Sequence, residues 1–140
     1  MKNIEKFNLV LKELPGFLNI STCDKAGRVS GSIISFVQDK VRPNVFYVVT
    51  AADNCRANNI RNHPQLAIST WFNPVNGNRF SSNRVTGKVV DELDEIKVLS
   101  SERPEIKIMS DDFENKCVLV LTLESAILES FTNKPEIIEF

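Results

Sequence analysis

The sequence predicts a mainly β domain, its strands arranged antiparallel in a closed or partly closed barrel, with only a few short helices. Three observations predict it. Apolar, β-branched and aromatic runs of strand length recur at Phe17–Cys23, Arg28–Val37, Val45–Thr50, Leu66–Phe72, Arg79–Val90 and Lys116–Leu123, which makes six strands. Most are joined by short segments rich in Gly, Asn, Asp and Pro, the turn chemistry of antiparallel neighbours. Helical spacing is confined to brief stretches. Strongly apolar strands with short connections leave edges that barrel closure removes.

Each element has its own reason. Phe7, Leu9, Val10, Leu11 and Leu14 recur with roughly helical spacing until Pro15-Gly16 stops them, which predicts an N-terminal amphipathic helix. Phe17–Cys23 alternates as a half-buried strand. Asp24-Lys25-Ala26-Gly27 is a turn, so the run from Arg28 closes a hairpin. Gly31 inside that run predicts a bulge or a close backbone approach. Gln38 to Asn44 is a polar turn containing Pro43. Asp53 or Asn54 caps a helix of about two turns, which must end by His63 because pre-proline residues avoid the α region. Asn73 to Asn78 is turn-rich, and Gly87 interrupts the long fifth strand. Asp91 to Ser101 is helical, limited by Pro104. Glu124 to Phe140 is mixed, with room for one more short strand.

The bulk numbers narrow the function classes. The 140 residues are expected to form one domain, 1–140, large enough for a core without metal or disulfide staples. With 17 basic and 18 acidic side chains, no global field recruits nucleic acid or an anionic membrane. The start, Met1 to Lys6, carries acid and lacks the apolar stretch of a signal peptide, and nothing approaches a membrane span. A soluble, cytoplasmic protein is expected. The cysteines Cys23, Cys55 and Cys117 are widely spaced and His63 is the only histidine, so no metal-ligand spacing exists. Cys23 and Cys117 sit in apolar runs, as small core residues do.

The most informative stretch is Val45 to Pro64. A buried strand breaks at Ala51-Ala52-Asp53-Asn54, and a capped helix start follows with Arg56 in its first turn. Such a junction aims several backbone N–H groups and a guanidinium at one place, a site for an anion such as a phosphate. Many surface helices share the pattern and bind nothing. Cys55 lies at the same helix start, a setting in which thiols become reactive.

The order hairpin, strand, Asn54-Cys55-Arg56-Ala57, short helix, His63-Pro64, apolar strand, then Val85-Thr86-Gly87-Lys88-Val89-Val90, resembles the pyridoxamine 5′-phosphate oxidase-like FMN-binding split-barrel family. The similarity covers Phe17 to Val90 well and the remainder in outline. It implies a six-stranded antiparallel split β-barrel, a homodimer, and FMN in the groove between two barrels. Carried over by position, Ser32, Ile33, Ile34 and Ser35 would run beside the flavin ring and ribityl chain. Val49 and Thr50 would close the pocket. Cys55 and Arg56, after the cap Asn54, take the places of a basic phosphate-binding pair, and Ser82 takes that of a polar flavin contact.

This chain departs from the pattern at Cys55, which is not basic, and at Gly31 and Phe36, where the oxidase has basic residues. Phosphate recognition would then rest on Arg56, with Arg79 or Arg84 as helpers. The oxidase's Arg-Leu-His-type C-terminal motif is replaced by Asn133 to Phe140, so oxidation of pyridoxamine phosphate is not expected. Three functions remain open: an FMN-dependent oxidoreductase of a small-molecule substrate or electron donor; a non-catalytic, stress-related binder of flavin or another planar ligand; or a structural dimer with a vestigial pocket. Haem is disfavoured because His63 is expected outside the pocket. Trp71, Phe72 and Phe80 would line a substrate or fill core or interface.

Overall fold

In the computed structural model, which describes residues 3–140, one antiparallel sheet of nine strands curls around an aromatic core. Helix α1, Asn3–Lys12, comes first and buries Phe7 and Val10. The hairpin follows, β1 Phe17–Cys23 and β2 Val29–Ser35, paired without a break from Phe17↔Ser35 to Cys23↔Val29. Its turn is held by Asp24, whose Oδ1 accepts from the Ala26 and Arg28 N–H groups at 2.8 and 2.9 Å. Gly27 there has φ 83°, a conformation that costs a glycine little.

The remaining elements are β3 Val37–Gln38, β4 Val45–Ala51, α2 Cys55–Asn62, β5 Gln65–Thr70, β6 Arg79–Val90, α3 Leu93–Glu102, α4 Ile106–Met109, β7 Lys116–Leu123, β8 Ser125–Glu129 and β9 Glu136–Glu139. The strand order is β2-β1-β5-β6-β7-β4-β3, with β8 branching from β6 and β9 from β8. Because β3 follows β2 after the single residue Phe36, the two ends of the sheet are brought together without pairing. The barrel is therefore split between β2 and β4.

Several expectations change. The predicted continuous strand Arg28–Val37 is two strands, because Phe36 turns inward, is only 8% exposed, and packs 5.1 Å from the Phe46 ring. Burying that ring redirects the chain from β1 to β4. Gly31 makes no bulge; the register shift lies between β5 and β6, at Leu66/Ile68. The fourth strand ends at Thr70, leaving Trp71 and Phe72 outside it. Gly87 does not interrupt β6 but admits a close approach: a Cβ there would meet Leu66 Cδ2 at 2.7 Å and Ile60 Cγ2 at 2.9 Å. The strands β3, β8 and β9 raise the predicted six to nine.

Two cores result. The barrel interior joins Phe7, Phe46, Phe80, Leu119 and Leu121, with Phe7 edge-on to Phe80 at 5.0 Å and to Phe140 at 5.1 Å. The second lies outside the sheet, where Val45, Tyr47 and Val118 pack under Ile96 and Ile106. Among the described residues no helix is long and apolar enough to cross a membrane.

Candidate functional site

The junction of β4 and α2 is built as local chemistry demands. Asn54, in extended backbone, caps α2 by accepting from the Ala57 N–H at 2.8 Å. The helix ends at His63, whose N–H donates to the Asn59 carbonyl at 2.7 Å, immediately before Pro64. This short rigid frame places Arg56 beside the split. Its Nε and Nη2 donate to Ser32 Oγ on β2 at 3.2 and 3.1 Å, and its Nη1 donates to Thr50 Oγ1 on β4 at 2.8 Å. Asn54 Nδ2 reaches the same Thr50 hydroxyl at 2.7 Å. One guanidinium thus spans two strands that share no backbone pairing.

Charge decides what this cluster is. Arg28, Arg42, Arg61, Arg79, Arg84 and Arg103 each face an Asp or Glu. Arg56 faces only hydroxyls among the described residues. A guanidinium satisfied by neutral acceptors keeps its positive charge for a carboxylate or phosphate, which accepts stronger, charge-assisted bonds.

The expected residues separate into those the structure gathers and those it does not. Ser32, Thr50, Asn54, Cys55 and Arg56 come together. The exposed Cys55 thiol donates to Ser30 Oγ at 3.8 Å and receives Asn59 Nδ2 at 3.6 Å. Ile34 shares the face of Ser32 but packs onto the barrel core. Ile33 and Ser35 alternate to the outer face, where Ile33 is 56% exposed. Val49 points to the opposite face of β4 from Thr50, against the second core. Ser82 lies in the row Ser32↔Ile20↔Ile68↔Ser82, three strands from Ser32, and its buried hydroxyl donates to the Ser125 carbonyl at 2.6 Å.

Neither proposed helper joins Arg56. Arg79 is held by Glu129, in β8, at 3.4 Å, and Arg84 faces Glu124, the residue before β8, at 3.9 Å. Phe36 is core and Gly31 is outer face, so Arg56 remains the cluster's single cation among the described residues. His63 is exposed at the far end of α2 from Arg56. Cys117 is fully buried opposite Thr50, and burial pushes its thiol up in pKa. Cys23, expected in the core, is half-buried at the end of β1.

Sequence reasoning missed Ser30, although the alternation Ser30-x-Ser32 was there to be read. It also missed a groove of about 310 Å³ beside Val49 and Thr50, walled by Met109, Ser110, Asn115 and Lys116. In it Lys116 Nζ donates to Ser110 Oγ at 3.0 Å. No local sequence signal joins the end of α4 to the end of β4.

Comparisons with known proteins agree with this architecture. The chain superposes on a pyridoxamine 5′-phosphate oxidase-related, FMN binding protein of Nostoc punctiforme with a TM-score of 0.72 and 12% identity, covering 97% of this chain and 95% of that one. The General Stress Protein 26 of Bacillus anthracis matches with a TM-score of 0.71, 13% identity and full coverage of both chains. A heme binding protein of Mycobacterium smegmatis matches at 0.71 and 11% identity over 99% of this chain, which spans only 58% of that protein. At such identities the likeness is one of fold. Comparison with curated proteins finds no match. The model of the family described as pyridoxamine 5′-phosphate oxidase matches residues 5–125, and a chain matched over that length belongs to the family.

Proposed function

We propose that this protein binds FMN at the split, with Arg56 holding the phosphate and β2 running beside the ribityl chain and ring. The observation that carries the reading is the one arginine with only hydroxyl partners, standing across the opening of a barrel whose family includes an FMN binding protein. Ser32 and Thr50 fix the guanidinium, and the α2 N-terminus adds its N–H groups. Among the described residues, β4 has no strand partner on its β3 side beyond Tyr47, and β2 pairs only with β1. The split is thus lined by strand edges whose N–H and C=O groups suit the polar edge of a flavin ring. Of the other residues carried over, Ile34 and Val49 pack on the two cores and would support the pocket walls from behind, Ser82 is buried on the Ser125 carbonyl, and Ile33 and Ser35, on the outer face of β2, would act in a homodimer.

Bound flavin supplies hydride and electron transfer. Among the described residues no Asp, Glu or His hydrogen-bonds to the cluster, so the chain's own part is to hold and orient. That supports an oxidoreductase in which the cofactor carries the chemistry for a small-molecule substrate or electron donor. It equally supports a carrier without turnover, a reading favoured by the likeness to a general stress protein. Three free cysteines, one exposed, fit a reducing cytoplasm.

The test is a flavin fluorescence titration. A charge-assisted bond of this kind contributes about 1.5–3 kcal/mol, so Arg56→Ala should weaken FMN binding roughly ten- to a hundredfold at about 1.4 kcal/mol per decade. Riboflavin, without the phosphate, should bind both proteins alike. Unchanged FMN affinity, or equal loss for both ligands, would remove the phosphate site from Arg56. Consumption of a reduced nicotinamide by the yellow protein separates enzyme from carrier.

A further inference from the structure

Helix α1 sends Phe7 into the aromatic core and turns a second stripe toward a groove. Lys6, Leu9, Val10 and Glu13, spaced at i, i+3, i+4 and i+7, line about 590 Å³ of space against the end of β8 and the start of β9. That volume lies within the range of small-molecule sites. The floor is apolar: Val10 and Leu128 belong to the barrel core at 8% and 6% exposure, and Leu9 beside them is 45% exposed. None of these residues belongs to the Arg56 cluster. The two ends differ in charge. At one end Lys6 Nζ lies 2.6 Å from Glu136 Oε2, and Lys134, close by in the chain, meets no carboxylate among the described residues. A positive charge is left over there. At the other end Glu129 is matched by Arg79 at 3.4 Å, but Glu13 meets only an amide, accepting from Asn73 Nδ2 at 3.1 Å. A negative charge is left over there. The Asn73 N–H donates to the Asn78 carbonyl at 3.0 Å, which sets the half-buried Asn78 at the same end. Its carboxamide lines the groove and makes no hydrogen bond among the described residues.

We propose that this groove binds a short apolar peptide lengthwise, its terminal ammonium at Glu13 and its terminal carboxylate at Lys134, beside Lys6. Length selects the ligand. From Lys6 to Glu13 the helix rises roughly 10 Å at 1.5 Å per residue. A free amino acid carries both charges on one carbon and reaches one end only. An extended chain of about three residues spans at most roughly 10 Å, which matches the separation. A simple amine or a simple acid would leave one of the two end charges unmet. Between the ends, Leu9, Val10 and Leu128 offer apolar cover for a side chain. The Asn78 carboxamide both donates and accepts, as a peptide group does. The groove stands apart from the split, so the proposal is independent of the flavin reading.

The test is a titration of the full chain with alanyl-leucyl-alanine, followed by amide chemical shifts. Saturable shifts at millimolar peptide or below should gather on α1 and the β8–β9 connection, and leucine alone should produce none. N-acetylation of the peptide and Glu13→Gln, which keeps an acceptor for Asn73, should each weaken binding about fivefold, as loss of one exposed charge pair does. Applied together they should weaken it no further than either alone, because both remove the same pair. Amidation of the peptide carboxylate and Lys134→Ala make the matching test at the other end. Leu9→Asp, at a position that folding leaves half open, should abolish binding with the circular dichroism unchanged. The blocked peptides decide the matter on the wild-type chain if a variant misfolds. Absence of saturable shifts, equal affinity for free and blocked peptides, or binding that survives Leu9→Asp would each overturn the proposal. Arg56→Ala should bind the peptide as the wild type does, and loss of peptide binding there would overturn the groove as its place.

Discussion

Asp39 and Arg56 each centre a polar cluster at the margin of the sheet, and the two balance their charge in opposite ways. Asp39 is 2% exposed. Its carboxylate accepts from the Tyr47 hydroxyl at 2.6 Å and from the Val41 and Arg42 N–H groups at 2.8 Å each. Arg42 Nη2 lies 3.3 Å away, and Arg103 Nε lies 3.0 Å away as an ion pair outside hydrogen-bond geometry. Nearby, buried Glu105 accepts from the Lys40 N–H at 2.7 Å. That cluster closes on itself and ties the β3–β4 turn to the α3–α4 segment. Around Arg56 every partner is neutral and the guanidinium's charge is left over. A cluster that neutralises itself is built for folding; one that keeps a charge is built to receive one.

The contrast breaks most visibly in stability. Asp39→Ala leaves two arginines and the buried Tyr47 hydroxyl without their acceptor, and should cost about 3 kcal/mol in chemical denaturation, the low end for breaking a buried pair because both arginines reach solvent. Arg56→Ala should cost less than about 1 kcal/mol, since its hydroxyl partners turn to water. Equal losses would mean that Arg56 is a structural clasp.

Acid sharpens the same difference. Burial by itself would push the Asp39 carboxyl up, but hydrogen bonds from Tyr47, Arg42 and Val41 outweigh it and hold the pKa at about 2, below the ordinary 3.8. Between those values the unfolded chain binds the proton and the native one does not. The stability that Asp39 contributes is therefore complete above about pH 4 and is lost as pH falls toward 2. Acid titration of Asp39→Asn should lack this limb, whereas Arg56→Ala should retain it.

Tyr47→Phe keeps the packing and removes one donor to Asp39, so a loss of about 1–2 kcal/mol is expected, with the Asp39 limb moved to higher pH. An unmoved limb would assign the low carboxyl pKa to the Val41 and Arg42 N–H groups and the Arg42 side chain instead. The smallest effect is chemical. Cys55 should react with a thiol reagent in the free protein, Cys23 more slowly, and Cys117 only on unfolding. FMN should shield Cys55 by occupying the neighbouring phosphate position, and equal labelling with and without FMN would separate the thiol from the site.

What the sequence determined by itself was local. The alternation of Phe17–Cys23, the turn at Asp24–Gly27, the Asn54 cap and the Pro64 stop follow from residues close in the chain, and so does the placing of Arg56 in the first turn of α2. Ser30 and Ser32 on one side of β2, with Ile33 and Ser35 on the other, followed equally from the period of two. Tertiary structure decided the rest. Phe36 breaks a strand because its ring finds Phe46 in the core, not because of any breaker beside it. Ser82 falls three strands from Ser32, since register across the sheet is set by how the barrel curls. Arg79 and Arg84 are drawn to Glu129 and Glu124, partners distant in sequence. Arg56 became a candidate site by the same logic: its neighbours were legible, but the lack of any carboxylate among them depended on which distant strands the split brought to its sides.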